Sequence, residues 1–383
     1  MTKIKTMHAG SLPRPLALHA LVVARETGKP YDEHELDTQL ASSVAEVVRK
    51  QVEIGLDSIN DGEFGKSNFN NYMRDRLAGF EERPVTDGPN ISTSDRDRAA
   101  GYAGYFERGG LAAIGVQVRR FFCVDALAYK GQALVQRDIA NFKSALAAVQ
   151  DLPHASEVEP FLPAVAPGTI EHWLNDDHYP DDESFVYAIA DVMREEHQAI
   201  VDAGFLLQID DPDLADAWQL HSGMDVPAYR RFADMRIDAL NHALRDIPRD
   251  RVRFHMCWGS YHGPHEFDIP LKDIVDIVPK AKAHSYSIEA SNPVHEHEWE
   301  VWRDTKLPEG TTLTPGVVGH FSDFIENPEL VAQRLVRYAG LVGSEHVMAG
   351  TDCGIGTRIG HPDIAWAKYA TLVEGARRAS ERL

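Results

Sequence analysis

RVRFHMCWGS, residues 251–260, is a short β-branched and apolar run that ends in a turn-prone loop. It reads as a strand. His255 and Cys257 stand two residues apart at its end, and a two-residue step along a strand returns to the same side of the sheet. Seven further stretches share this form: IKTMHAGS (4–11), LDSINDGE (56–63), FLPAVAPG (161–168), FLLQIDDP (205–212), HSYSIEA (284–290), TTLTPGVVG (311–319) and HVMAGTDCG (346–354).

Longer amphipathic runs alternate with these strands. They are DEHELDTQLASSVAEVVRKQVEIG (32–55), SFVYAIADVMREEHQAIVDAG (184–204), AYRRFADMRIDALNHALRDI (228–247), LKDIVDIVPKA (271–281) and NPELVAQRLVRYAGLVG (327–343). Several start after Asp, Ser or Asn, or end in Gly, as helix caps do. Eight strands with crossover helices predict an α/β fold, a (β/α)8 TIM barrel forming one domain over residues 1–383. Residues 80–135, rich in turn residues and aromatics, do not fit a minimal barrel. They are expected as an inserted cap between strands 2 and 3.

In such a barrel the chemistry gathers where strands end. The ends carry Ser11, Asp61 with Glu63, Asp210 with Asp211, His255 with Cys257, Glu289, His320, and Asp352 with Cys353. Singly each could be a cap or a buried polar group. Together, on one face, they point to a site. His255, Cys257, Glu289 and Cys353 form a thiolate, imidazole and carboxylate set of the kind zinc prefers. Glu289 would be the displaceable ligand, leaving a place for an incoming thiol, which zinc would hold as a nucleophilic thiolate.

The 383 residues include 39 Lys and Arg against 59 Asp and Glu, a net charge of −20 that excludes an extended basic footprint for nucleic acid or an anionic membrane. Three separated cysteines make no disulfide framework and fit a reducing cytoplasm, the expected location. Cys123 is read as core packing, and His262, His265, His284, His295 and His297 as mostly solvated or capping groups. Tyr261 or His262 is expected to line the side from which a second substrate arrives.

HAGSLPRP (8–15), DGEF (61–64), APGTIEHW (166–173), QIDDPDL (208–214), HMC (255–257), SIEAS (287–291) and TDCGIGTR (351–358) together resemble the C-terminal catalytic barrel of the cobalamin-independent methionine synthase family, here in single-domain form. The resemblance implies a methyltransferase that activates homocysteine as a zinc thiolate and yields methionine. Zinc would lie on His255, Cys257, Glu289 and Cys353. Ser11, with the backbone of Ala9 and Gly10, would bind the amino-acid carboxylate, Glu63 and Asp210 would grip the ammonium, and Trp173 would lie near the donor. His320 stands one position from the family's proton-donating histidine. The family's enzymes look like two fused barrels and the resemblance covers one, so the methyl donor is left open between methyltetrahydrofolate and a simpler or corrinoid donor. A corrinoid carrier protein and a homodimer also stay open as partners. Two alternatives remain: alkyl transfer to another thiol, as in the epoxyalkane:coenzyme M transferases, and a zinc lyase or hydrolase in which Asp211 or His320 is the general base.

Overall fold

A computed structural model describes residues 2–66, 69–83, 95–107, 120–356 and 358–383, with backbone alone at 69–71. Its strands are β1 (Ser58–Ile59), β2 (Leu77–Arg83), β3 (Arg120–Tyr129), β4 (Glu159–Val165), β5 (Leu174–Asp176), β6 (Leu206–Asp210), β7 (Val252–Met256), β8 (Ser285–Ile288), β9 (Thr312–Val318) and β10 (Gly350–Thr351). Seven of them form one parallel sheet in the order β1-β4-β6-β7-β8-β9-β10. The chain around Thr6 reaches both of its edges. Met7 N–H donates to Ala349 O at 2.8 Å, Ala349 N–H to Lys5 O at 2.8 Å, and Ser58 N–H to Thr6 O at 2.9 Å. The sheet is therefore curled, consistent with a TIM-like barrel, and each of the eight predicted strands contributes to it.

Strands β6, β7 and β8 are buried along their whole length, as expected of a parallel sheet covered on both faces. Alternation decides what each face carries. Phe254, Ile209 and Tyr286 pack with Val44, Ile237 and Leu335 of the surrounding helices in the main apolar core. The neighbouring positions Gln208, Arg253, Ser285 and Ser287 are polar and equally buried, and they fill the concave side of the sheet. There Arg253 donates to Ser58 Oγ at 3.0 Å and to Glu159 at 3.1 Å.

The helices follow their sequence signals. Helix Glu33–Ile54 starts at Asp32, whose carboxylate accepts from Glu35 N–H at 3.1 Å, and stops at Gly55 in the left-handed region. Asp181, Asp225 and Asn327 cap Asp182–Asp202, Val226–Ala243 and Pro328–Val342 in the same manner. The predicted helix over 271–281 is absent. Two 3-10 turns, Leu271–Asp273 and Val278–Lys280, stand in its place. Pro279 lacks the N–H that a continuous helix would need there. Among the described residues, no helix is long and apolar enough to cross a membrane.

The segment expected as an insertion is only partly described; 84–94 and 108–119 lie outside the described residues. Its described strands were not anticipated. β2 pairs antiparallel with β3, which pairs in parallel with β5 in a separate three-stranded sheet. Residues 95–107 pack on loops that follow β6 and β7. Arg96 donates to the carbonyls of Trp218, His221 and Met224 at 2.6, 2.7 and 2.8 Å, and Asp97 accepts from the N–H groups of His265 and Phe267 at 3.1 and 3.2 Å.

One buried node ties the second sheet to the helices. Arg76 lies 3.0 Å from both Asp138 and Glu196, and Glu196 also accepts from the Tyr72 hydroxyl and, at 2.5 Å, from that of Tyr129. Removing the cation leaves two buried carboxylates unmatched, which costs far more than the pair contributes. Arg76→Met is expected to lower unfolding free energy by about 3–5 kcal/mol, read as a fall in the urea midpoint; a shift below 1 kcal/mol would show that the node is not structural.

Candidate metal centre and substrate site

Period-two alternation along β7 sends His255 inward beside Arg253, and Cys257, just beyond the strand, continues on that side. Cys353 enters two residues after β10. The ligand atoms of His255, Cys257 and Cys353 all lie within 4.8 Å of one another. The two sulphurs are 3.8 Å apart. Two thiolates on a tetrahedral ion, each at about 2.3 Å, are separated by about 3.8 Å. His255 Nδ1 is 3.2 Å from Ser287 Oγ, whereas its Nε2 is buried with no hydrogen-bond partner. A serine that engages one ring nitrogen and leaves the other free orients an imidazole for a metal. The Cys257 thiol donates to Cys353, which holds the Cys353 thiol well below its usual range and pushes that of Cys257 up. Two sulphurs in contact beside an imidazole whose Nε2 makes no hydrogen bond fit a soft divalent cation.

Glu289 does not join this trio. Its carboxylate accepts from Trp258 N–H at 2.8 Å and Asn292 Nδ2 at 3.1 Å, and it groups instead with His320 and Asp352 within 4.8 Å. Burial, with Asp352 beside it, raises its carboxyl to about 8. Asp352 is fully engaged: it accepts from the N–H groups of Ala290 and Ser291, both at 2.9 Å, and from Ser291 Oγ at 2.5 Å. Both ring nitrogens of His320 are buried without partners, and its ring lies tilted against Phe321 with centroids 3.8 Å apart. Burial lowers its pKa to about 4, so the imidazole is neutral.

The carboxylates form a second cluster. Asp61 accepts from Glu63 N–H at 2.9 Å, and Gly62 and Glu63 both take positive φ, 74° and 59°. This turn drives the Glu63 side chain onto Gly10, where a Cβ would sit 2.2 Å from Oε1, and the φ of 145° at Gly10 favours glycine. Burial, with Asp210 and Asp61 adding and Lys66 opposing, pushes the Glu63 carboxyl up to about 8. Asp210, bonded to Gln208 Nε2 at 2.8 Å, is raised to about 6 by burial. Both carboxyls feel the charge of Cys353, so this cluster borders the sulphur pair.

Other predicted residues are less directly engaged. Ser11 lies against the loop after β10, its Oγ 2.4 Å from where a Cβ on Gly354 would be. Ala9 N–H donates to Thr351 Oγ1 at 3.0 Å and Gly10 N–H to His8 Nδ1 at 3.4 Å, so both donors already have partners inside the fold. Trp173 packs on the smaller apolar cluster around Met73 and Phe185 and lies tilted against the His172 ring. Asp211, whose N–H donates to His255 O at 2.8 Å, accepts from Thr169 Oγ1 at 3.0 Å and neighbours Asp213. Cys123 is buried in that smaller cluster, as expected.

The histidines read as solvated need a correction. His265 and His295 are 4 % exposed, and both bond to Asp268, at 2.7 and 3.2 Å, while His295 also bonds to Glu298 at 2.8 Å. His295 stacks on Trp258 at 3.8 Å and His265 on Tyr261 at 4.1 Å. This network braces the loop after Cys257. Sequence reasoning also missed Ser287 and Gln208, although both sit on the inward positions of strands it had recognised.

A family model described as cobalamin-independent synthase, catalytic domain, matches residues 155–377. A methionine synthase of Pyrococcus furiosus is 24% identical over 385 residues, covering 99% of this chain and 94% of that protein. A 2-hydroxypropyl-CoM lyase of Xanthobacter autotrophicus is 23% identical over 404 residues, covering 98% and 94%. The B12-independent methionine synthase of Shewanella sp. W3-18-1, solved in complex with selenomethionine, superposes with a TM-score of 0.73 at 19% identity, covering 100% of this chain and 99% of that one, a likeness of fold. With the family model spanning more than half of its length, the chain belongs to the cobalamin-independent methionine synthase family.

Proposed function

We propose that the protein is a zinc-dependent S-methyltransferase that methylates homocysteine to methionine on an eight-stranded (β/α)8 barrel closed through Thr6. Residues 1–383 would act as one catalytic unit, with 80–135 as an insertion at its mouth; the grip of Arg96 and Asp97 on the loops after β6 and β7 supports that placement. The observation that carries the reading is the trio His255, Cys257 and Cys353, with its free Nε2, beside the buried carboxylates Glu63 and Asp210.

Zinc would be held by His255, Cys257 and Cys353, with Glu289 turning in as the exchangeable fourth ligand, and when bound it supplies the acidity that keeps an incoming thiol ionised at neutral pH. Ser287 keeps His255 in the required tautomer. Glu63 and Asp210 take the ammonium of the amino acid, and Ser11 takes its carboxylate. His320, neutral and without a partner, accepts the proton the thiol loses and returns it to the departing donor. Trp173 borders the donor. The donor stays between methyltetrahydrofolate and a simpler or corrinoid one.

The second reading is alkyl transfer to another thiol, favoured by the likeness to the 2-hydroxypropyl-CoM lyase. Burying carboxylates where the thiol's tail must lie favours an ammonium over a sulfonate. A lyase or hydrolase with Asp211 as base has less support, because Asp211 is turned to Thr169.

Zinc K-edge absorption is expected to show two sulphurs in the resting protein and a third on adding L-homocysteine; an unchanged edge would sink the reading. Ser287→Ala is expected to weaken zinc about 10–100-fold in a chelator competition, with the fold intact by circular dichroism. Glu63, raised to about 8, is mostly protonated at pH 7, and an arriving ammonium lowers its pKa. Binding of L-methionine at pH 7 should therefore release part of a proton and tighten as pH rises from about 6 to about 8. Calorimetry in two buffers of different ionisation heat reads this. The release should vanish in Glu63→Gln, and proton uptake by the unaltered protein would refute the assignment.

A further inference from the structure

The two sulphurs of the trio differ in access. Cys257 is 1 % exposed, whereas Cys353 is half-buried. They differ in surroundings too. Among the described residues, the one hydroxyl bonded to either sulphur is that of Ser260, whose Oγ stands 3.5 Å from Cys353 Sγ. An ionised Cys353 has no hydrogen to give, so in that state the hydroxyl is the donor. The ligand sulphur that an electrophile can reach is thus the one with a hydrogen-bond donor beside it.

The loop after β7 fixes where Ser260 lies. Trp258 is held by backbone and side chain alike: its N–H donates to Glu289 at 2.8 Å, its Nε1 to Ile269 O at 2.8 Å, and its ring stacks on His295 at 3.8 Å. Gly259 follows with a φ of 79° and lies so close to Asp216 that a Cβ would meet its carboxyl at 2.7 Å. A glycine turn on a braced tryptophan leaves residue 260 little freedom of placement. Ser260 itself is half-buried, so water competes only in part for its hydroxyl.

We infer that Ser260 is a specificity-determining residue that keeps the transferred carbon off Cys353, by donating a hydrogen bond to that thiolate and leaving the substrate's sulphur the stronger nucleophile; this rests on reading the site as a thiol-alkylation centre. Any such centre faces a choice among sulphurs, because its own thiolates are nucleophiles as well. A hydrogen bond to an ionised group is stronger than one to a neutral group, and it engages the electron density that an attack on carbon would use. Burial gives Cys257 the same protection by exclusion. The arriving thiol then carries the one sulphur that is both accessible and free of a hydroxyl donor.

The test uses zinc-loaded protein and iodoacetamide as the electrophile, with neither homocysteine nor a methyl donor present. Attack forms a bond from sulphur to the acetamide carbon as the carbon–iodine bond breaks and iodide leaves, and peptide mass spectrometry reads which cysteine is labelled. In Ser260→Ala, labelling of Cys353 should speed up about tenfold while that of Cys257 changes less than about twofold. Ser260→Thr keeps the hydroxyl and should label Cys353 within about twofold of the unaltered protein, with circular dichroism and zinc content the same in all three. An unchanged rate at Cys353 in Ser260→Ala overturns the inference. An equal rise at both cysteines overturns it as well, being what weakened metal binding alone produces, and so does faster labelling of Cys257 than of Cys353 in the unaltered protein. A zinc edge that ignores homocysteine, with Cys353 still labelled faster in Ser260→Ala, removes the thiol-alkylation reading and leaves the control of Cys353 by Ser260 standing.

Discussion

The pleat of β7 is the constraint on which the site depends. Val252, Phe254 and Met256 must face the helices for the core to close, so Arg253, His255 and Cys257 have no choice but to face the concave interior. Register carries the same demand to the neighbouring strands: Asp210 pairs with His255, and His255 with Ser287. A slip of one residue would bury Arg253 in the apolar layer and expose the histidine to the helices. Core packing and site geometry are therefore enforced by one set of backbone hydrogen bonds.

The interior is polar and closely packed, yet its hydrogen bonding is incomplete at particular atoms. Toward the base of the sheet Arg253 donates to Gln208 and Ser58, and Ser287 bonds to His255. Nearer the strand ends, His255 Nε2 and both nitrogens of His320 have no partner. Buried polar groups are normally satisfied, and these nitrogens lie beside the sulphur pair. The same region concentrates carboxyls whose burial opposes ionisation. Such an arrangement costs stability in the free protein and is offset only by something that brings positive charge and hydrogen bonds with it.

Much of this was legible because alternation and strand-end polarity are local properties. RVRFHMC, QIDDP and TDCG each declare a strand by composition, and the barrel rule then converges their ends. What stayed hidden was relational. Glu289 has the right chemistry and the right strand, but its carboxylate is engaged by the N–H of Trp258 and the amide of Asn292 and groups with His320 and Asp352, and no spacing announces that. His265 and His295 looked solvated because their surroundings are rich in acids; those acids, Asp268 and Glu298, are the partners with which they are buried. β2 and β3 are obscured in sequence by a stretch full of turn residues, and the apolar spacing that predicts a helix over 271–281 is overridden by Pro279.

The contact between Met7 and Ala349 joins the two ends of the chain. Residues so far apart in sequence meet late, since loop closure must be complete before their bonds can repay it. During synthesis the strands from β1 to β9 emerge with one edge unmatched, and Cys257 waits for a sulphur that is not yet translated. The centre is thus an end-of-line assembly: a nascent or prematurely terminated chain contains most of the barrel and has no means of gathering its ligands. Quality control of the whole fold and maturation of the centre become the same event.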